Sequence, residues 1–186
     1  MANNFFITGY PRSRTSWLAN FLTTDRSLCF HDALAECASV EHFIDKVLVA
    51  GSTYGQSYIG DSDSGLLFAH EPIRERFPDA KWVVVIRDEK DVVTSLVNSL
   101  GPTHDYEAVI EFLRSMLRSV LSIPGVMTIK YEDLNSFETC FKIWEFCLPG
   151  IMQNYPRWEL LNGLKTEPFL TKYLSKLCFT HSQVIR

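Results

Sequence analysis

The chain has 186 residues, with 18 lysines and arginines against 22 aspartates and glutamates, and a formal net charge of −4. That length fits a single domain over residues 1–186, and a hydrophobic content of 46% excludes a disordered chain. A domain of this size buries ~70% of the surface its unfolded chain exposes, so it needs no disulfide or metal staple. Mild acidity argues against a dedicated nucleic-acid binder. Any anion site must then be local, built from a few arginines and backbone amides.

The five cysteines, Cys29, Cys37, Cys140, Cys147 and Cys178, form no C-x-x-C pair, and Cys140 and Cys147 sit among large apolar residues. This pattern implies reduced thiols, a cytoplasmic protein and no zinc site. No apolar run approaches the ~20 residues of a membrane span. The first residues lack the basic start and long apolar stretch of a signal peptide, and read instead as a strand.

In chain order, Asn4 to Thr8 reads as a strand ending at Gly9, followed by a turn over Pro11 to Ser16 and a helix to about Thr23. Leu28 to His31 reads as a second short strand. Glu36 to Val49 is helical, with Val40, Phe43, Ile44, Val47 and Leu48 on one face. Gly51 to Gly65 is rich in Gly and Ser, lacks periodicity and is expected to be a long loop. Leu66 to Ala69 is expected to be a strand with His70 just past its end, and Pro72 to Phe77 a short helix or turn. Lys81 to Ile86 is a β-branched run of the kind buried on both faces of a parallel sheet.

Asp88 to Leu100 is a helix stopped by Gly101-Pro102. A second helix, His104 to Ser122, carries apolar residues at helical spacing, and Gly125 to Lys130 is a further strand. Asn135 and Glu138 form a candidate capping box for the next helix, with a core stripe of Phe137, Cys140, Phe141, Trp144, Cys147 and Leu148. Strands alternating with helices predict a three-layer α/β/α fold around a parallel sheet of four to five strands. In such sheets ligands bind beyond the carboxyl ends of the strands. Gly9, His70, Arg87 and Tyr131 are all expected there.

Gly9-Tyr-Pro-Arg-Ser-Arg-Thr-Ser16 lies between a strand and a helix. Amides in such a loop point inward, and the helix N-terminus adds about half a positive charge, so an anion is the expected guest. The nucleotide-hydrolase pattern G-x-x-x-x-G-K-[ST] is met only at Gly9 and Ser16: Arg14 stands at the second Gly and Thr15 at the Lys. The missing lysine disfavours magnesium-dependent ATP or GTP chemistry, and Arg12 is placed to supply positive charge instead.

The run Tyr10-Pro11-Arg12-Ser13-Arg14-Thr15-Ser16-Trp17 resembles the 5′-phosphosulfate loop of sulfotransferases that use 3′-phosphoadenosine 5′-phosphosulfate (PAPS). Seven of eight positions agree with that family's pattern, and Arg14 stands where the family prefers Gly. If that position needs φ > 0, an arginine there is strained, unless it serves as an added phosphate contact.

The resemblance implies further roles. Arg87 and Ser95 have the spacing of the family's 3′-phosphate motif, where arginine offers a planar fork of donors. Trp17 and Tyr131, the latter opening Tyr131-Glu132-Asp133-Leu134, match residues that flank adenine. His70 matches the general base for the acceptor, with Glu71 and His31 as competing candidates. The family's C-terminal Arg-Lys-Gly segment has no equivalent after Leu177.

The implied activity is in-line transfer of a sulfuryl group from PAPS to a hydroxyl or amine on a small molecule or glycan, leaving 3′,5′-ADP. Arg12, Ser13, Arg14, Thr15 and Ser16 would hold the 5′ end. No metal is called for, since arginine and backbone dipoles supply the positive potential. A P-loop nucleotide or nucleoside kinase, and a non-catalytic relative that binds the nucleotide, are the alternatives.

Overall fold

A computed structural model describes residues 2–102 and 105–163. His104, Cys178 and the tail beyond Leu177 lie outside them. Five strands, β1 (Asn3–Gly9), β2 (Ser27–His31), β3 (Tyr58–Ser62), β4 (Lys81–Ile86) and β5 (Met127–Lys130), form one all-parallel sheet in the order β2-β3-β1-β4-β5. The central β1 is buried on both faces, as its Phe5-Phe6-Ile7 run requires. Ile7 pairs with Ser62 of β3 on one side and Val83 of β4 on the other.

Two helical layers cover the sheet. Helices α2 (Val40–Thr53), α3 (Leu66–Arg76), α4 (Glu89–Leu100) and α5 (Tyr106–Leu121) pack on the Phe6 face. Helices α1 (Thr15–Leu22) and α6 (Phe137–Cys147) pack on the face of Phe5 and Ile7, with α7 (Tyr155–Gly163) against α1. The three-layer α/β/α architecture matches the sequence expectation, at the upper end of its strand count. The order reverses around β1: the chain leaves β1 toward β2, then crosses from β3 over to β4. The crevice beyond β1 is therefore the topological switch point where ligands bind in open α/β sheets.

Two stretches differ from the expected elements. Gly51 to Gly65 is not a loop, because α2 continues to Thr53 and Tyr58–Ser62 forms the fully buried strand β3. Asp61 and Ser62 disguise this strand as polar sequence. Gly60 adds to the disguise, yet it is required, since a Cβ there would lie 2.4 Å from the ring of Phe5. Leu66 to Ala69 is not a strand but the first turn of α3. Leu66, Ala69, His70 and Ile73 recur at helical spacing and are buried together, while the carboxylate of Asp63 accepts from the Gly65 N–H at 2.7 Å just ahead of the helix. The predicted capping box also fails. Ser136 precedes α6 without a side-chain cap, and Asn135 instead accepts a hydrogen bond from Arg14.

Candidate active site

The loop after β1 begins where the backbones of β1 and β4 nearly touch. A Cβ on Gly9 would lie 2.3 Å from the carbonyl oxygen of Val85, so only glycine fits. Arg12 and Arg14 both take left-handed backbone conformations, with φ of 68° and 61°, and Arg14 immediately precedes α1. The local shape is thus that of a loop with glycine-like turns, made with arginine at a cost of ~1–2 kcal/mol per residue. Such a bend turns successive amides inward.

Ser13 is fully buried, and its hydroxyl has no hydrogen-bond partner among the described residues; the same holds for the hydroxyls of Thr8 and Ser16. Buried polar atoms are normally satisfied, and these three lie close together along the chain, at the end of β1, in the loop and at the start of α1.

The two predicted phosphate motifs converge. Arg12 Nε donates to Ser95 Oγ at 3.2 Å, and Arg87 Nη1 donates to the backbone oxygen of Arg12. The Arg87 guanidinium lies 4.1 Å from the ring centroid of Tyr131, and its Nε is buried without a partner. Asp88 caps α4 by accepting from the N–H groups of Lys90 and Asp91, which leaves Arg87 free of the neighbouring carboxylates.

Arg14 is turned to the wall of the site. Its Nη1 donates to Leu134 O at 3.2 Å and Asn135 Oδ1 at 3.0 Å, both in the 3-10 turn Tyr131–Asn135. Its guanidinium also sits 5.5 Å over the ring of Trp17, which stacks on Phe21 at 5.1 Å. Trp17 is thus packed by protein groups, with its indole N–H buried and unpartnered.

His70 is not at a strand end. It lies on α3, 5% exposed, with Nδ1 at 2.9 Å from Leu67 O and Nε2 at 2.9 Å from Ser119 Oγ on α5. Both ring nitrogens serve helix packing, and Glu71, its neighbour, shares the helix rather than a strand end. The histidine that does reach the loop is His31, at the end of β2. Its Nε2 lies 3.3 Å from Thr15 Oγ1 and 3.4 Å from Asp32 Oδ1. Burial pushes the His31 pKa down, against the pull of Asp32 and Glu36, which favours the neutral ring.

Beside it, β3 ends in three buried polar residues, Asp61, Ser62 and Asp63. Oδ2 of both aspartates and the Ser62 hydroxyl lack hydrogen-bond partners. Burial raises the Asp61 pKa, helped by Asp63 and Asp32. Burial likewise pushes Asp63 to about 6, opposed by the Gly65 N–H and reinforced by the carboxyl of Asp32. Reading this stretch as a loop hid these groups; the adjacent strand-forming pair Tyr58-Ile59 was the available signal.

A second feature absent from the motifs is a charged chain behind the loop. Tyr10 Oη donates to Glu89 Oε1 at 2.7 Å. Glu89 accepts two bonds from Arg114 of α5, Nε to Oε1 at 2.9 Å and Nη2 to Oε2 at 2.7 Å.

No protein-family model and no curated protein matches the sequence. The structure does have a counterpart. It superposes on the crystal structure of a sulfotransferase from Alicyclobacillus acidocaldarius with a TM-score of 0.60, covering 97% of this chain and 92% of that one at 16% identity. The fold is that of a sulfotransferase. At this identity the likeness concerns the sulfotransferase architecture, with its five-stranded parallel sheet and flanking helices, and not the individual side chains. No helix among the described residues is long and apolar enough to cross a membrane.

Proposed function

We propose that the chain transfers the sulfuryl group of PAPS to a hydroxyl or amine acceptor. The observation that carries this reading is the meeting of two motifs 75 residues apart, in which Arg87 bonds to the Arg12 carbonyl while Arg12 holds Ser95. One motif is suited to the 5′ end of a bisphosphorylated adenosine and the other to its 3′-phosphate. The orphaned hydroxyls of Thr8, Ser13 and Ser16 and the Arg87 Nε are donors of the kind phosphate and sulfate oxygens accept from.

In the proposed step the acceptor atom bonds to sulfur as the bond from sulfur to the 5′-phosphate oxygen breaks. The electron pair goes to that phosphate, beside Arg12, and the acceptor's proton goes to a base. We assign the base to His31 rather than His70, since His31 touches the loop at Thr15 and its neutral form is favoured. Asp63 stands beside it as the second strand-end base.

The test is a thermal-shift series followed by turnover. Stabilisation by 3′,5′-ADP without magnesium is expected, and at 100 times Kd it amounts to about 2.7 kcal/mol. A preference for magnesium-ATP would replace this reading by a kinase. Arg12→Ala is expected to slow transfer from labelled PAPS on the order of 10²–10³-fold, as removal of a single oxyanion donor does. His31→Gln is expected to retain 3′,5′-ADP binding and lose transfer. Binding without turnover on a broad acceptor panel would instead identify a non-catalytic nucleotide-binding relative.

A further inference from the structure

We propose that Glu89, gripped by Arg114 and bonded to Tyr10, is the positioning residue that sets the spacing between the two phosphate grips. The inference rests on the nucleotide reading above and adds to it a function for Tyr10, Glu89 and Arg114, to which that reading gave no role. Glu89 opens α4, two residues after Arg87 and on the helix that carries Ser95. Tyr10 is the first residue of the loop after Gly9, two before Arg12. Through one carboxylate the loop and the 3′-phosphate helix are tied together, and Arg114 anchors that carboxylate to α5.

The geometry is that of a made-to-fit joint. Both oxygens of Glu89 are bonded by Arg114 in the planar, two-pronged arrangement that fixes orientation as well as distance. A third donor, the Tyr10 hydroxyl, shares Oε1. Arg114 also meets Glu111 at 3.0 Å, one turn away on its own helix, which adds a second anchor for the guanidinium. Tyr10 is 2% exposed, so little water reaches its hydroxyl to replace the bond. The electrostatics agree: hydrogen bonds from Arg114 and Tyr10 hold the Glu89 pKa down at about 2, and burial together with Glu89 pushes the Tyr10 phenol up to about 12. The joint is therefore in one charge state over the whole neutral range.

A ligand that uses both grips needs this spacing, whereas a ligand that uses one does not. The variants Tyr10→Phe, Glu89→Gln and Arg114→Lys are compared with wild type by calorimetric titration of 3′,5′-ADP and of 5′-AMP. Loss of one charge-assisted bond is expected to weaken 3′,5′-ADP by about 5- to 20-fold, and 5′-AMP by no more than about 2-fold. The double variant Tyr10→Phe/Arg114→Lys is expected to be no weaker than the worse single one, because both act through Glu89. Near-UV circular dichroism checks that each variant is folded, and Tyr10→Phe, which removes one atom, keeps the test available if the charged variants do not fold. Unchanged 3′,5′-ADP affinity in folded variants, or an equal loss for both nucleotides, overturns the proposal. If wild type binds no 3′,5′-ADP, the nucleotide reading itself falls and the spacing role with it.

Discussion

Arg14 shows how one residue can satisfy two opposed demands. Its backbone sits where glycine is cheapest, and its side chain ties the loop to Leu134 and Asn135. A glycine would recover ~1–2 kcal/mol of left-handed strain and lose two hydrogen bonds worth ~0.5–1.5 kcal/mol each. Arg14→Gly is therefore expected to fall between a gain of about 1 and a loss of about 2 kcal/mol, while Arg14→Ala, which keeps the strain and loses the bonds, costs about 1–3 kcal/mol. Urea unfolding of both beside wild type separates the two contributions: equal stabilities of the two variants would show that the strain carries nothing, and an Ala variant as stable as wild type would show that the tether carries nothing. The sequence pointed to the strained position, since the family pattern has Gly there. It did not show the tether, because a guanidinium's partner 120 residues away is set by the tertiary fold.

Asp63 makes a pH-dependent prediction at the same scale. Its pKa is raised above the ordinary carboxylate range to about 6 by burial first. The folded state thus binds its proton more tightly than the unfolded chain does. The stability it contributes is fully present below the unfolded pKa and is lost as pH rises through about 6. Asp63→Asn, which keeps an acceptor for the Gly65 N–H, is expected to gain melting temperature relative to wild type on going from pH 4.5 to pH 7.5. A constant difference between the two proteins across that range would contradict the assignment.

Among the elements, α3 is the instructive one. Four apolar residues before a histidine and a proline read as a short strand, and only the pairing of Leu66 and Ala69 with Ile73 across successive turns marks the helix. Strand and helix cannot be told apart by periodicity in so short a run. The error carried His70 with it, because the functional expectation depended on a strand end. As found, His70 bridges α3 to α5 through Ser119. His70→Ala is expected to lower stability by about 1–3 kcal/mol through lost hydrogen bonds and a small void. Per folded molecule it should leave 3′,5′-ADP affinity and turnover unchanged. Loss of turnover in a folded variant with intact nucleotide binding would return the base to His70. The strands β1 and β4, by contrast, were legible residue by residue, since fully buried parallel strands are written as unbroken apolar runs.

For the whole molecule, the order β2-β3-β1-β4-β5 accounts for why distant motifs meet. Residues at the ends of β1 and β4 adjoin because those strands are neighbours, and β3 joins on the other side. Alternating strands and helices announced the layers. His31 at the β2 end was already a candidate, but the groups at the β3 end were not legible, because buried polar residues break the apolar pattern by which strands are found. The result is an acidic protein, net −4, with Arg12 and Arg87 joined beyond the carboxyl ends of the central strands, near hydroxyls that lack partners. For the nucleotide site proposed above this has an everyday laboratory consequence: inorganic phosphate and sulfate in storage or assay buffers are expected to compete for it. On that proposal, titrations in phosphate-buffered saline are expected to understate nucleotide affinity relative to those in a sulfonate-free amine buffer, and crystals grown from ammonium sulfate should be inspected for an oxyanion lodged beyond Gly9.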